Sequence, residues 1–182
     1  MNTEITKEVA EKVLSTVDAG LVKGVGNPVP GQMCVEAAVC FALGLPHGDD
    51  PACVSRAVRS LKIALNDANW SSDEARTRGL RRLALAQLGS AGVLDDKEFA
   101  RRVAELSIRT SVPTALRAAS ALQRGEHHKG ALLDAAIRCE KEGTEEAARA
   151  AEAAARAAAA DRLIGQILDA IEAALTTHGA VA

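Results

Sequence analysis

The sequence predicts an all-α protein, an antiparallel multi-helix bundle or an irregular helical array of about eight helices with a long C-terminal helix. The first supporting observation is composition. Of the 182 residues, 48% are apolar, alanine dominates that fraction, and aromatic residues make up only 2%. Helices favour Ala, Leu, Glu and Arg, whereas strands favour aromatic and β-branched residues. The second is a series of apolar stripes at helical spacing, each bounded by residues that cap or break helices.

The N-terminal part of the chain predicts one helix and then a long loop. Thr3 is the expected N-cap of the first helix, in which Ile5, Val9, Val13 and Val17 lie four residues apart. The segment GLVKGVGNPVPGQ at residues 20–32 contains four glycines and two prolines, which prevent a stable helix. Loops of this length are often mobile or functional.

Three helices are predicted in the middle of the chain. The second spans about residues 32–43 and closes at Gly44. The third begins at Pro51 with Asp50 as its N-cap. The fourth starts from a capping box of Ser71 and Glu74. Trp70, just before the cap, is expected to anchor the start of this helix, and Gly89 is expected to end the helix.

Four further helices are predicted in the rest of the chain, and they indicate its domain organisation. Asp95 caps a fifth helix, Ser111 caps a separate sixth with Pro113 in its first turn, and a seventh covers about residues 126–142. The last helix is expected from about residue 145 to 176, roughly 48 Å long. Its second half carries an apolar stripe that must pack on the core or on a second copy: Ile164, Leu168, Ile171 and Leu175. We therefore expect a helical core domain at residues 1–143 and a C-terminal helix at residues 144–182 that packs on it or mediates association.

Charge and hydropathy argue against several functional classes. The net charge is −2 and the chain has only three aromatic rings, whereas nucleic-acid binders carry a basic excess and stacking platforms. No apolar run reaches the roughly 18 residues that a membrane span needs. The N-terminus is amphipathic and acidic rather than a secretory signal. Four cysteines without a compact spacing pattern are typical of free thiols in the cytoplasm.

The segment MCVEAAVCFALGLPHGDDPACV, residues 33–54, carries most of the reactive chemistry, and a metal site is the first interpretation. Cys34 and Cys40 lie six apart, so on a helix they point about 120° apart and cannot share one tetrahedral ion. Glu36 and Cys40 do share a helix face. Together with His47 and Cys53 they could supply four ligands, for which zinc is the favoured metal.

A catalytic thiol is the second interpretation. Cys34 lies near a predicted helix N-terminus, which lowers the pKa of a thiol. Residues 31–48, GQMCVEAAVCFALGLPHG, resemble the segment around the catalytic cysteine of transglutaminase-like cysteine enzymes. Those enzymes carry their His and Asp on later strands, which this sequence does not predict. His47 or His127 would therefore have to act as the base.

The third interpretation is structural. Cysteine is a small apolar side chain that packs well between helices, and HGDDP is a helix-start signal. Every residue of the segment then has a role in packing or in a turn.

Longer stretches carry a wider resemblance. The segments CVEAAVCFALGLPHGDDPACV, LKIALNDANWSS, LRRLALAQLGSAG and RCEKEGTEEAARAAEAAARAA resemble a family of Ala-rich helical proteins from bacteria and their phages or mobile elements. That resemblance implies no catalytic residue and no ligand.

Three functional hypotheses follow. The first is a non-catalytic helical interaction or assembly module, a homo-oligomer or the binder of a protein partner, associating through its C-terminal helix. The second is a metal- or thiol-dependent enzyme centred on the segment from Cys34 to Cys53. The third is a small-molecule pocket among the helices, with the loop at residues 20–32 as its lid.

Overall fold

A computed structural model describes residues 5–160 of the chain, and within that range it is all-helical, with seven helices and no strand. This confirms the predicted all-α class, whereas the count of about eight helices and the long C-terminal helix stay predictions. The helices are α1 Lys7–Asp18, α2 Val35–Ala42, α3 Arg56–Asn66, α4 Asp73–Ala86, α5 Asp96–Ala121, α6 Glu126–Glu142 and the helical residues 145–160, here α7. The chain divides into two compact units, Met1–Ala100 and Arg101–Ala182. The expected boundary after residue 143 stays a prediction, because residues 161–182 lie outside the described range.

The core of the first unit forms around α2. Seven of the eight residues of this helix are buried, including Val35 and Val39. Val13 and Val17 of α1 pack against it, as do Leu80 and Ala84 of α4. The predicted valine stripe of α1 therefore faces the core, and burial of these side chains drives the packing of this unit.

Side chains cap most of the helices, in part at the expected positions and in part at shifted ones. Asp95 caps α5 as predicted, its Oδ1 accepting from the Lys97 amide at 2.9 Å and the Glu98 amide at 3.0 Å. Thr6 caps α1, its Oγ1 accepting from the Val9 amide at 3.3 Å; the expected cap, Thr3, lies outside the described residues. Ser72 rather than Ser71 caps α4. The start of α3 was predicted wrongly: Ser55 caps it, not Asp50. Asp50 and its neighbour Asp49 instead form ion pairs with Arg59.

Trp70 anchors the turn before α4, as its position predicts. Its Nε1 donates to the Leu65 carbonyl at 2.8 Å, and its ring packs on the core of the first unit. Gly79 of α4 lies beneath the ring, and a Cβ at this glycine would clash with Cη2 and Cζ3 of Trp70. Only the smallest residue fits this close approach.

The predicted break before Ser111 is wrong, because α5 runs as one helix through Pro113. A proline inside a helix removes one hydrogen bond and costs about 3 kcal/mol. Here the apolar face continues across it, with Ile108, Val112 and Leu116 all packed in the core of the second unit. Burial of this continuous face offsets the cost of the proline.

In the second unit, α5 and α6 are antiparallel. Ser120, near the end of α5, donates to the Lys129 carbonyl near the start of α6. Arg109 lies earlier in α5, and its guanidinium donates to three carbonyls in the last turn of α6: Glu140, Lys141 and Glu142. These bonds satisfy groups that a helix end leaves unpaired. The core is completed by small residues of α7, Ala147, Ala151 and Ala158.

Candidate functional site

The predicted site residues of this segment lie in two places: at the N-cap of α2 and within that helix, and in the connection between α2 and α3. Cys34 is the N-cap of α2, its Sγ accepting from the Ala37 amide at 3.3 Å. Cys40 is buried near the end of the same helix, and Cys53 lies in the turn that precedes α3. His47 lies between these helices, with its Nε2 3.0 Å from the Gly26 carbonyl oxygen.

The four candidate metal ligands do not come together. Within residues 5–160, no three His, Cys, Asp or Glu side chains are grouped so that they could hold a metal ion. His47 is directed to a loop carbonyl, whereas Glu36 lies 3.6 Å from Lys62 Nζ. Glu36, Cys40, His47 and Cys53 therefore do not form such a group in the structure, and a metal site in this segment stays a prediction.

Burial suppresses ionisation of the thiols in this segment. It raises the pKa of Cys34 and of Cys53, and raises that of Cys40 to about 11. At Cys34 the α2 amides act in the expected direction and favour the thiolate, but desolvation is the larger effect. The other proposed base, His127, belongs to α6 in the second unit. The thiols are thus protonated at neutral pH, which is unfavourable for a nucleophile. Catalysis by Cys34 remains a prediction.

The feature that sequence reasoning missed is a buried ion pair. The Glu36 side chain is 0% exposed and that of Lys62, on α3, is 1% exposed, with Oε1 and Nζ 3.6 Å apart. Burial raises the pKa of Glu36 and lowers that of Lys62 to about 8, so desolvation outweighs their mutual attraction. Lys62 and the buried amide of Gln87 act on the Glu36 carboxyl in the opposite direction and lower its pKa, but desolvation is the larger effect.

Two sequence signals could have located this pair. Glu36 is the one charged residue of the apolar segment VEAAVCFA. Lys62 follows Val58 by four positions and precedes Leu65 by three, so it lies on the apolar face of α3.

Side chains of α3 and α4 hold the loop between α1 and α2. Asn66, the last residue of α3, donates from Nδ2 to the Val22 carbonyl at 2.9 Å and accepts at Oδ1 from the Val35 amide. The next residue, Asp67, accepts from the Gly24 amide at 2.9 Å. These bonds satisfy backbone groups that the irregular loop cannot pair for itself.

A cavity of about 70 Å³ lies beneath this loop. Gly24 and Val25 of the loop line it, together with Cys34 and Glu36 at the start of α2 and Asn66 at the end of α3. A space of this size holds water or a very small ligand and is well below the volume of a drug-sized pocket.

The second unit carries an apolar groove of about 300 Å³. It lies between the end of α5 and the last described turns of α7, and its lining consists mainly of alanines together with Leu122 and Leu132. Nearby on α6, Leu133 and Ile137 are exposed and lie four residues apart on one face. The predicted interface stripe, Ile164, Leu168, Ile171 and Leu175, lies outside the described residues.

Two arginines of α4 make contacts within the first unit. Arg76 is buried and donates to the Asn66 carbonyl, and Arg81 pairs with Asp18 of α1. Arg78 and Arg82 of the same helix are exposed.

Comparisons with protein-family models, curated proteins and solved structures found no match to this chain. Among the described residues, none of the helices has both the length and the apolarity required to cross a membrane.

Proposed function

We propose that this protein is a non-catalytic helical assembly module that associates with a second copy of itself through its C-terminal part. The observation that carries the proposal is the apolar groove of the second unit, lined by Leu122 and Leu132 among alanines. Leu122 is 64% exposed at the edge of this groove. Alanine-lined faces bury little apolar area by themselves but allow another helix to approach closely.

The occupant we propose is the segment at residues 161–182 of the second copy. In our proposal α7 continues as a long helix to about residue 176, so that Ile164, Leu168, Ile171 and Leu175 form one stripe along it. The groove supplies the small residues and the stripe supplies the large ones. The 22 residues of this segment follow directly from α7, which itself lines the groove, so two copies can exchange their segments symmetrically.

Assembly is favoured over the thiol-enzyme hypothesis by the state of the cysteines. Burial raises the pKa of Cys34 and Cys40, the reverse of what nucleophilic catalysis needs. All four cysteines are free thiols in the structure, which supports our proposal of a reducing, cytoplasmic location. A bacterial or phage origin is likewise part of the proposal and rests on the segments that resemble Ala-rich helical proteins.

Light scattering coupled to size exclusion tests the proposal on the full chain. We expect a dimer mass for the unmodified protein and a monomer mass for Leu122→Glu and for Ile171→Glu. Leu106→Glu is the matched control, because Leu106 also belongs to the α5 region and is 62% exposed, but it does not line the groove.

Circular dichroism confirms that each variant remains folded before its mass is compared. A monomeric unmodified protein would refute the proposal. So would a folded Leu122→Glu variant that keeps the dimer mass.

A further inference from the structure

We infer that the buried pair of Glu36 and Lys62 is a conformational lock, which gives α2 one orientation in the core of the first unit and thereby gives the loop at residues 20–32 one conformation. The inference does not depend on the proposed assembly, which uses the second unit. It rests on the uniform apolar surface of α2, on the burial of the pair and on the side chains that surround it.

Apolar packing alone defines the orientation of α2 weakly. Seven of the eight residues of VEAAVCFA are buried, and the exposed one, Phe41, is itself apolar, so no polar face fixes the rotation of the helix about its axis. Apart from Glu36, the buried side chains are valine, alanine and cysteine, which are all small. A core of small apolar side chains loses its unique arrangement before it loses its stability.

Glu36 distinguishes one side of α2 from the others, because it is the only charged residue of this helix. Its carboxylate lies 3.6 Å from Nζ of Lys62 on α3, and it is also beside the buried amide of Gln87, the C-cap of α4. These partners belong to two other helices, so the carboxylate is paired with both of them in one orientation of α2 only.

Every other orientation of α2 separates the two charges. A rotation by one residue position turns the helix by about 100°. It would carry Glu36 away from Lys62 and towards the apolar side chains around α2, among them Val17 of α1 and Leu80 of α4. Two buried charges without partners cost far more than the repacking of small apolar side chains. The pair therefore excludes wrong arrangements of the core, even though desolvation offsets much of its own attraction.

The same face of α3 connects the lock to the loop. Lys62 and Asn66 lie four residues apart, and Asn66 accepts from the Val35 amide at 3.3 Å and donates to the loop carbonyl of Val22 at 2.9 Å. The Val35 amide belongs to the first turn of α2 and points along the helix axis, so this bond fixes where α2 begins and not its rotation. Lys62 supplies the second restraint, and the loop is held against both helices.

The test is the double variant Glu36→Met/Lys62→Met of the full chain, which replaces both charges with apolar side chains of similar length. We expect it to remain folded by circular dichroism but to sample several orientations of α2. In ¹H–¹⁵N correlation spectra, the amides of α2 and of Gly24 should then split or broaden through exchange between conformations. Arg117→Met/Glu140→Met is the matched control, because it removes a half-exposed ion pair between α5 and α6, and it should leave these amides sharp.

Thiol alkylation followed by mass spectrometry gives a second readout with a control inside the same chain. Cys40 of α2 and Cys139 of the second unit are both buried. In the double variant, alkylation of Cys40 should be faster by roughly tenfold or more, because movement of α2 opens the core around it. Cys139 should react at its original rate.

Three results would overturn the inference. One is a folded double variant with a single sharp resonance for each α2 amide or with an unchanged rate at Cys40. Another is equal broadening of the α2 amides in the control variant. The third is an unfolded double variant, because the pair would then supply stability rather than a unique arrangement of the core.

Discussion

Removing one partner of the buried Glu36–Lys62 pair should cost far more stability than removing both. Lys62→Met keeps the length of the side chain but leaves Glu36, which is 0% exposed, without a cation. An uncompensated buried charge of this kind costs about 3–5 kcal/mol. A typical domain is stable by about 5–15 kcal/mol, so a large part of the stability of the first unit would be lost. The double variant, with methionine at both positions, buries no charge and should be within about 1–2 kcal/mol of the unmodified protein.

Urea unfolding followed by fluorescence provides the measurement. Trp70 is the only tryptophan of the chain and packs on the core of the first unit, so its emission reports on the unit that contains the pair. The double-mutant cycle should yield a coupling energy of several kcal/mol. Additive costs for the two single variants, or a Lys62→Met variant that loses less than about 1 kcal/mol, would refute the burial argument.

The same pair predicts two opposite pH dependences. Burial raises the folded pKa of Glu36 above its ordinary 4.5, so its contribution to stability is largest below that pH and is lost as the pH rises. Lys62 has a folded pKa of about 8, lowered from 10.5, so the unfolded chain binds the extra proton between these values. At this site stability therefore increases as the pH rises from 8 to 10.5. Urea midpoints of the unmodified chain and Lys62→Met should differ most at alkaline pH and converge towards pH 4.5.

Three further predictions concern packing, capping and thiol exposure. Gly79→Ala should destabilise the chain by about 1–3 kcal/mol, because its Cβ would meet the Trp70 ring. Gly130→Ala on α6, with open space around its Cβ, should instead stabilise by up to about 1 kcal/mol; urea midpoints compare the two, and equal effects would contradict the ring contact. Arg109→Gln should speed hydrogen exchange in the last turn of α6 by removing donors to its carbonyls, while α1 exchanges unchanged; equal rates would contradict this cap. Cys53, the half-buried thiol, should react first with a thiol reagent at neutral pH, and a faster buried cysteine would refute the assigned burial.

The helices that sequence reasoning placed best are those whose ends are set locally. The predicted seventh helix, at residues 126–142, has the bounds observed for α6, because Gly125 precedes it and Gly143 ends it in a left-handed conformation. The start of α3 was misplaced because HGDDP is a strong local capping signal. In the folded chain, Arg59 pairs with both aspartates of that signal, and Ser55 provides the cap.

Features that depend on contacts between distant residues could not be predicted. Pro113 has the local signature of a helix start, and only the core of the second unit keeps α5 continuous across it. The candidate site shows the same limit. The sequence identifies its cysteines as candidates and predicts that a helix N-terminus lowers the pKa of Cys34. In the structure, burial raises that pKa instead. Local patterns mark Glu36 and Lys62 as charges on apolar helix faces, but their pairing depends on how α2 and α3 pack together, which no local pattern specifies.

The hydrogen bonds between the loop and the end of α3 determine which part of the first unit unfolds locally as one piece. Asn66 and Asp67 together hold the backbone at Val22, Gly24 and Val35. Fraying of one helical turn would release all three positions at once, so the loop and the last turn of α3 form a single unit of local unfolding. The rate at which solvent enters and leaves the cavity then depends on fraying of the last turn of α3. The intrinsic flexibility of the glycine-rich loop does not set this rate.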